Sequence, residues 1–255
     1  MSTFDEYSTR YRMIRMRRED GILEMQFHTD GGPLRWSLIP HGELERAFLE
    51  VGRDRENEVI ILTGTGAEFS GPAVPPGGHN HAREPVTGMT WDPIYWEGKH
   101  LLMNLLNIEV PMIAAVNGPA VRHAEIPLLC DIVLAADEAT FQDSAHFSGG
   151  LVPGDGVHIV YPLLMGTNRG RYFLLTGQTL SADEAKQVGL VSEVLPGDRL
   201  LARAWEHARQ LMQRPPLIRR YARVLLTQDL KKRMHELLGY GLALEGLAAT
   251  QRPAK

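Results

Sequence analysis

The sequence predicts an α/β protein with a largely parallel sheet, followed by an all-helical C-terminal region. Three apolar, partly β-branched runs predict buried strands, at 58–66 (EVIILTGTG), 111–119 (PMIAAVNGP) and 131–141 (DIVLAADEATF). A helical pattern lies between the first two. Strands that alternate with helices form parallel sheets covered on their faces. A chain of 255 residues is long enough for one large domain.

The elements before these strands are a hairpin and a helix. The runs RMIRMRRE (12–19) and GILEMQFH (21–28) flank Asp20-Gly21, and Asp-Gly is a strong signal for a tight hairpin turn. Residues 40–54 then place Leu44, Phe48 and Val51 at helical spacing. Residues 92–109, between the first two buried strands, form the next predicted helix.

The last fifth of the chain is predicted to be helical throughout. Helices are expected over 198–213, 216–228 and 230–250, with Pro215 and Pro216 separating the first two. This change of pattern divides the chain into a core (1–197) and a C-terminal helical region (198–255). The last helix is apolar on one side, so it packs either against another subunit or against its own domain.

Composition excludes several classes of partner. The formal net charge is −4, which gives no general attraction to nucleic acid or to an anionic membrane. No apolar run reaches the ~20 residues that would span a bilayer, and the N-terminus has no apolar core typical of a secretory signal. We therefore expect a cytoplasmic protein. Its single cysteine, Cys130, can form no intramolecular disulfide.

A Gly- and Pro-rich loop, HFSGGLVPGDGVH (146–158), carries His146 and Asp155. Such a loop can fold back and bring the two side chains together. A carboxylate that binds one ring nitrogen fixes the histidine tautomer, and the other nitrogen can then take a proton near neutral pH. Alternatively, Asp155 caps the helix that starts near Gly156 and His146 is an ordinary loop histidine.

A second candidate is the segment NGPAVRHAEIP (117–127), which follows a buried strand. If a helix begins here, outward backbone N–H groups could bind a developing anion, and His123 could donate to it. Glu125 could act as an acid, or it could be a first-turn glutamate favoured by the helix dipole. The residues alone leave both alternatives open.

Other motifs predict neither cofactor nor metal. Gly64-Thr65-Gly66 lacks the remaining residues of a phosphate loop or a dinucleotide fold. His79 and His81 have no third ligand at a useful spacing. From the residues alone, Trp36 and His41 are core or helix-cap residues. Trp91, Tyr95 and Trp96 are expected either to line an apolar pocket, as substrate-binding residues, or to be plain core residues at helical spacing.

Four segments together resemble the crotonase (enoyl-CoA hydratase/isomerase) superfamily, and the resemblance covers nearly the whole chain. They are NEVIILTGTGAEFS, IEVPMIAAVNGPA, CDIVLAADEATFQ and GLVPGDG. The resemblance implies a crotonase-type ββα superhelix whose C-terminal helices mediate trimerisation. It also implies a homotrimer or a hexamer made of two trimers.

Three further segments, HFSGGLVPGDG, NRGRYFLLTGQ and LGYGLALEGLAA, make the chain resemble the β-diketone hydrolases of that superfamily, the 6-oxocamphor hydrolase type. This similarity implies that His146 and Asp155 form a dyad that activates water. It implies that His123 and Trp36 hold a substrate carbonyl. His41 and Glu245 are implied to line the pocket.

Two departures from CoA-binding crotonases favour a free diketone as substrate. The first turn, FSGPAV, carries Pro72, which has no N–H to donate. The second, VRHAEIP, places Arg122 and His123 where glycines are usual. We therefore expect a hydrolase that cleaves a C–C bond of a cyclic 1,3-diketone by a retro-Claisen reaction, without metal or cofactor. The alternatives are an enoyl-CoA hydratase/isomerase that uses Glu125 and a non-catalytic binding protein of the same fold.

Overall fold

The computed structural model of the chain describes residues 3–78 and 86–251. A six-stranded sheet has the order β1-β2-β3-β4-β5-β8, and only the β1–β2 pair is antiparallel. A second, two-stranded sheet pairs β6 with β7. The strands are β1 (Ile14–Glu19), β2 (Ile22–Phe27), β3 (Val59–Thr63), β4 (Met112–Val116), β5 (Ile132–Ala136), β6 (Thr140–Phe141), β7 (Leu180–Ser181) and β8 (Glu193–Leu195). The predicted α/β class with a largely parallel sheet is confirmed.

The predicted hairpin turn is present between β1 and β2. Asp20 and Gly21 have φ of 48° and 80°, so both lie in the left-handed region that a type I′ turn requires. The strands β3 and β4 are buried along their whole length, because helices cover both faces of a parallel sheet.

The helices cover the sheet and extend to the C-terminus. They are α1 (Phe4–Tyr7), α2 (Leu38–Arg53), α3 (Gly88–Asn107), α4 (Glu125–Leu128), α5 (Val157–Met165), α6 (Thr167–Thr176), α7 (Ala182–Gln187), α8 (Gly197–Met212), α9 (Pro216–Leu226) and α10 (Gln228–Ala249). None of these helices is long and apolar enough to cross a membrane. Cys130, just after α4, is buried, and its burial raises the pKa of the thiol.

The C-terminal helices pack on the rest of the chain. Helix α8 lies against β3, β4 and β5, and its buried Trp205 donates a 2.7 Å hydrogen bond to Glu24 of β2. Helix α10 packs against α3 and α5. The division at residue 197 stays a prediction.

Parallel bridges connect the loop segments that follow strands β2, β3, β4 and β5, and bring distant parts of the chain side by side. Arg35 pairs with Gly71, Ser70 with Ala120, and Ala120 with Phe141. These segments lead directly into Trp36, His123 and His146. Residues separated by more than 100 positions therefore meet in one place.

Candidate active site

The candidate active site is a cavity of about 310 Å³ beside these bridged segments. One end carries titratable side chains and the walls are largely apolar. Seven predicted site residues line it: Trp36, His41, Trp91, His123, His146, Asp155 and Glu245. The remaining lining residues include Leu38, Ile94, Leu151 and Leu242, together with Arg122.

His146 is buried at the polar end with a carboxylate at each ring nitrogen. Its Nδ1 lies 2.6 Å from Asp143 Oδ1, and its Nε2 lies 3.2 Å from Asp155 Oδ2. The backbone amides of Gly150 and Leu151 donate to the His146 carbonyl and fix the turn around it. The structure thus brings His146 and Asp155 together, but it assigns the hydrogen bond that orients the ring to Asp143, which the sequence reasoning did not single out.

The two carboxylates determine the charge of His146. Burial alone would lower its pKa, but the charges of Asp155 and Asp143 outweigh burial and raise the pKa well above its ordinary value. This shift favours the imidazolium form of His146 when no substrate is bound. Both ring nitrogens face carboxylates, and the expected role of His146 as a proton acceptor stays a prediction.

Asp155 connects two histidines and does not cap a helix. Its Oδ2 also lies 3.4 Å from His123 Nδ1. Helix α5 begins after Gly156, which has φ of 105° and receives no capping bond from a side chain. Burial opposes ionisation of Asp155, but the positive charge of His146 and its hydrogen bond outweigh burial and hold the pKa of Asp155 well below its usual value.

Helix α10 reaches the site because two glycines allow a close approach. A Cβ at Gly154 would lie 2.3 Å from the carbonyl oxygen of Gly241, so any larger side chain there would collide with the helix. Glu245, one turn further along α10, has its Oε1 3.8 Å from His146 Nε2. Burial and the charge of Asp155 raise the pKa of Glu245 to about 8, so its carboxyl is largely protonated at pH 7.

His123 has φ of 49°, in the left-handed region that favours glycine and costs another residue about 1 kcal/mol. Its Nδ1 lies 2.7 Å from Oε1 of Glu125, which is fully buried. Burial and the charge of Asp155 raise the pKa of Glu125, whereas burial lowers the pKa of His123. These shifts favour a protonated Glu125 that donates to Nδ1 of a neutral His123, an arrangement in which Nε2 carries the ring proton.

Aromatic residues form the wall next to His123. The rings of Trp36 and His123 are 4.1 Å apart between centroids, with 31° between their planes. The ring centroids of His41 and His123 are 5.6 Å apart, and Nδ1 of His41 lies 3.1 Å from Oε2 of Glu97. Trp91 donates its indole N–H to the carbonyl of Leu242, so it offers the cavity a ring face and no free donor.

Trp96 does not line the cavity, contrary to the sequence prediction. It is 52% exposed and stacks on His100, with 4.1 Å between the ring centroids. Trp91, Ile94 and Gly98 share the face of α3 that borders the cavity. Trp96 is five residues from Trp91, which places it about 140° around the helix on a different face.

The site contains one group with the composition of a metal site. His123, Glu125 and Asp155 offer ligand atoms within 4.8 Å of one another. His123 Nδ1 already contacts Glu125 Oε1 at 2.7 Å and Asp155 Oδ2 at 3.4 Å, so the three side chains contact one another directly. The group therefore fits a hydrogen-bonded cluster better than a metal site. His79 and His81 lie outside the described residues.

The sequence of this chain matches a known family. The model of the enoyl-CoA hydratase/isomerase family matches residues 18–244 of the chain. The chain belongs to this family. The predicted membership of the crotonase superfamily is thus confirmed.

Curated relatives include enzymes with different activities. The enoyl-CoA isomerase/hydratase fer4 of Mycosarcoma maydis is 32% identical over 130 residues, which cover 51% of this chain and 47% of that protein. The chain thus spans about half the length of this relative. The 4-chlorobenzoyl coenzyme A dehalogenase-2 of Arthrobacter sp. is 34% identical over 208 residues, or 79% of this chain and 73% of that protein.

A solved structure is more similar to this chain than either relative. It is a β-diketone hydrolase from the cyanobacterium Anabaena sp. PCC 7120, bound to (S)-3-oxocyclohexyl acetic acid. It is 48% identical, with a TM-score of 0.90, over 96% of this chain and 97% of that chain. The chain therefore resembles this β-diketone hydrolase in structure as well as in sequence, over nearly its whole length.

The sequence held a signal for Asp143 that its analysis did not use. Asp143 and His146 are three residues apart in FQDSAH, a spacing at which one turn of chain brings two side chains together. The pairing of Ala120 with Phe141 and the hydrogen bond from Ser144 Oγ to the Val121 carbonyl hold this turn beside His123.

Proposed function

We propose that this family member is a β-diketone hydrolase, which cleaves a C–C bond of a cyclic 1,3-diketone with water and releases a keto acid. The observation that carries the proposal is Asp155 between His146 Nε2 and His123 Nδ1 at the polar end of an apolar cavity. A neutral alicyclic diketone fits such walls. The similarity to a β-diketone hydrolase bound to an oxocyclohexyl acetic acid supports the same substrate class.

The proposed base is His146 after loss of its Nε2 proton. Nδ1–H then donates to Asp143, and Nε2 accepts a hydrogen bond from a water molecule. Because Nε2 and Asp155 Oδ2 are 3.2 Å apart, one water can donate to both. As His146 takes the proton, the resulting hydroxide attacks one carbonyl of the diketone.

The ring C–C bond then breaks and its electron pair moves into the second carbonyl, which becomes an enolate. We assign His123 Nε2–H and the Trp36 indole N–H to the enolate oxygen. Both side chains line the cavity, and neither atom has a hydrogen-bond partner among the described residues. His146 returns its proton to the enolate carbon, so the reaction consumes one water and needs no cofactor.

The arrangement of Glu125 argues against the enoyl-CoA hydratase/isomerase alternative. Glu125 is fully buried behind His123, contacts it at 2.7 Å, and does not line the cavity. An acid or base must come within hydrogen-bond reach of the substrate. Glu125 is better suited to hold the His123 tautomer.

His123→Ala tests the proposed function against the CoA alternative. We expect turnover of a cyclic 1,3-diketone to fall about 100-fold, because removal of one preorganised oxyanion donor costs ~3 kcal/mol. The rates of diketone loss and of crotonyl-CoA hydration are measured for both proteins. His100→Ala, outside the cavity, is the control. A higher crotonyl-CoA rate in His123→Ala, with no diketone activity in either protein, would refute the hydrolase proposal.

We also propose that the chain forms a homotrimer or a hexamer. Helices α9 and α10 expose apolar side chains that a monomer would leave in water. The most exposed are Leu217 (58%), Ile218 (61%), Tyr221 (59%), Leu225 (75%), Leu226 (77%), Tyr240 (65%) and Leu247 (67%). Apolar surfaces of this kind mark protein–protein interfaces.

Light scattering should give a mass three or six times that of the 28.5 kDa chain at micromolar concentration. The variant Leu225→Glu/Leu226→Glu should lower this mass, because it places charges on the exposed apolar surface. A wild-type mass equal to one chain would remove the proposal.

A further inference from the structure

Arg122 is a cation in the cavity wall with no ionic partner among residues 3–78 and 86–251. Its carbonyl oxygen accepts a 2.5 Å hydrogen bond from Ser70 Oγ, which anchors the backbone. Its side chain lines the cavity. The guanidinium makes no hydrogen bond or ion pair with a described residue, and its buried Nε is unpartnered.

Nearby carboxylates act on Arg122 only from a distance. Asp155, Asp143 and Glu125 favour its charged form, but none of them lies within the 4.0 Å of an ion pair. These carboxyl groups are already engaged by His146 and His123. Burial lowers the pKa of Arg122 despite the opposing charges of Asp155, Asp143 and Glu125. An unpaired, partly buried guanidinium favours an anionic ligand.

The proposed reaction creates such an anion inside this cavity. The diketone is neutral, and attack by hydroxide with C–C cleavage turns one carbonyl into a carboxylic acid, which loses its remaining proton to solvent near neutral pH and becomes a carboxylate. A guanidinium presents donors in a planar fork that matches a carboxylate. Arg122 is adjacent to His123 in the chain. One short segment therefore offers one side chain to the enolate oxygen and another to the new carboxylate.

We propose that Arg122 binds the carboxylate of the keto acid product, and that this site therefore prefers an alicyclic keto acid to its neutral analogues. The inference rests on the proposed function for its choice of ligand. Arg122 is a binding residue here, while His146 and Asp155 act on water. The competing explanation is that Arg122 only offsets the negative charge of Asp143 and Asp155.

Calorimetric titration with (3-oxocyclohexyl)acetic acid and with its amide separates these explanations. Arg122→Met should weaken binding of the acid about 30-fold, the range of a lost charge-assisted hydrogen bond, and change binding of the amide less than about 3-fold. Arg122→Lys keeps the charge without the fork and should give an intermediate affinity for the acid. Arg171→Met, at an exposed position on α6, is the matched control.

Equal weakening of acid and amide, or unchanged binding of the acid, would overturn the proposal. If Arg122→Met does not fold, a wild type that binds the amide as tightly as the acid overturns it as well. Selective binding of the acid through Arg122, without diketone hydrolysis, would refute the proposed function and leave this inference standing. Diketone hydrolysis by a protein that binds acid and amide equally would support the proposed function and refute the role of Arg122.

Discussion

His146→Ala should lower kcat on a cyclic 1,3-diketone about 10²- to 10⁴-fold, the usual contribution of general acid–base catalysis. His146 is the group in the cavity that we assign both to the proton of water and to the enolate carbon, so its loss affects both steps. The imidazole lies between Asp143 and Asp155, so its removal leaves two buried carboxylates without their common partner. The variant therefore has to be checked for folding by thermal melting and for mass by light scattering.

The pH profile of the wild type tests the same assignment. The raised pKa of His146 means that its imidazolium persists above the ordinary value of about 6.5. If the neutral imidazole is the base, kcat rises with pH through this raised pKa. A folded His146→Ala variant that loses less than tenfold, or that keeps the wild-type pH profile, would show that His146 is not the base. His100→Ala should match the wild type in both measurements.

Asp155→Asn should lower kcat about 10²- to 10³-fold with little change in KM. The change keeps the size of the side chain but removes the charge that contacts His146 Nε2 and His123 Nδ1. A carboxylate accepts hydrogen bonds at both oxygens, whereas an amide offers one acceptor and one donor. The amide would therefore hold the attacking water less well.

The same variant should shift the pH profile toward acid. The charge of Asp155 is a main cause of the raised pKa of His146, and without it His146 loses its proton at a lower pH. In a plot of kcat against pH, the variant should therefore show a lower maximum, and kcat should begin to rise at a lower pH than in the wild type. A variant with wild-type kcat, in which kcat rises over the same pH range as in the wild type, would show that Asp155 has only a structural role. Asp137→Asn, at an exposed turn, controls for the substitution itself.

Local sequence was sufficient where local forces determine structure. Asp20-Gly21 predicted a hairpin because few other pairs adopt positive φ at both positions, and the turn formed there. The apolar runs of β3 and β4 predicted buried strands, since only a sheet covered on both faces hides every side chain of a strand. The helix boundaries differ from prediction by a few residues, because the ends of helices depend on packing and capping.

Helix periodicity alone could not separate two tryptophans on the same helix. Trp91 and Trp96 both had the size and polarity expected of a pocket wall. Trp91 lines the cavity and Trp96 faces away, because the rotation of α3 about its axis is set by contacts with α2 and α10.

By itself, the sequence determined the α/β class, the hairpin, the order of the buried strands and the family to which the chain belongs. For His146 and Asp155 the loop composition left two alternatives open, a pair of partners or a loop histidine beside a helix cap, and only the family resemblance implied that they are partners. Only the tertiary structure decided which atoms meet. Distant segments surround the cavity because of two sets of contacts. The first is the bridges that join Ser70, Ala120 and Phe141, and the second is the close approach of Gly154 to Gly241. The charge of His146 follows from that convergence, because Coulomb interactions depend on distances in space and not on separation along the chain.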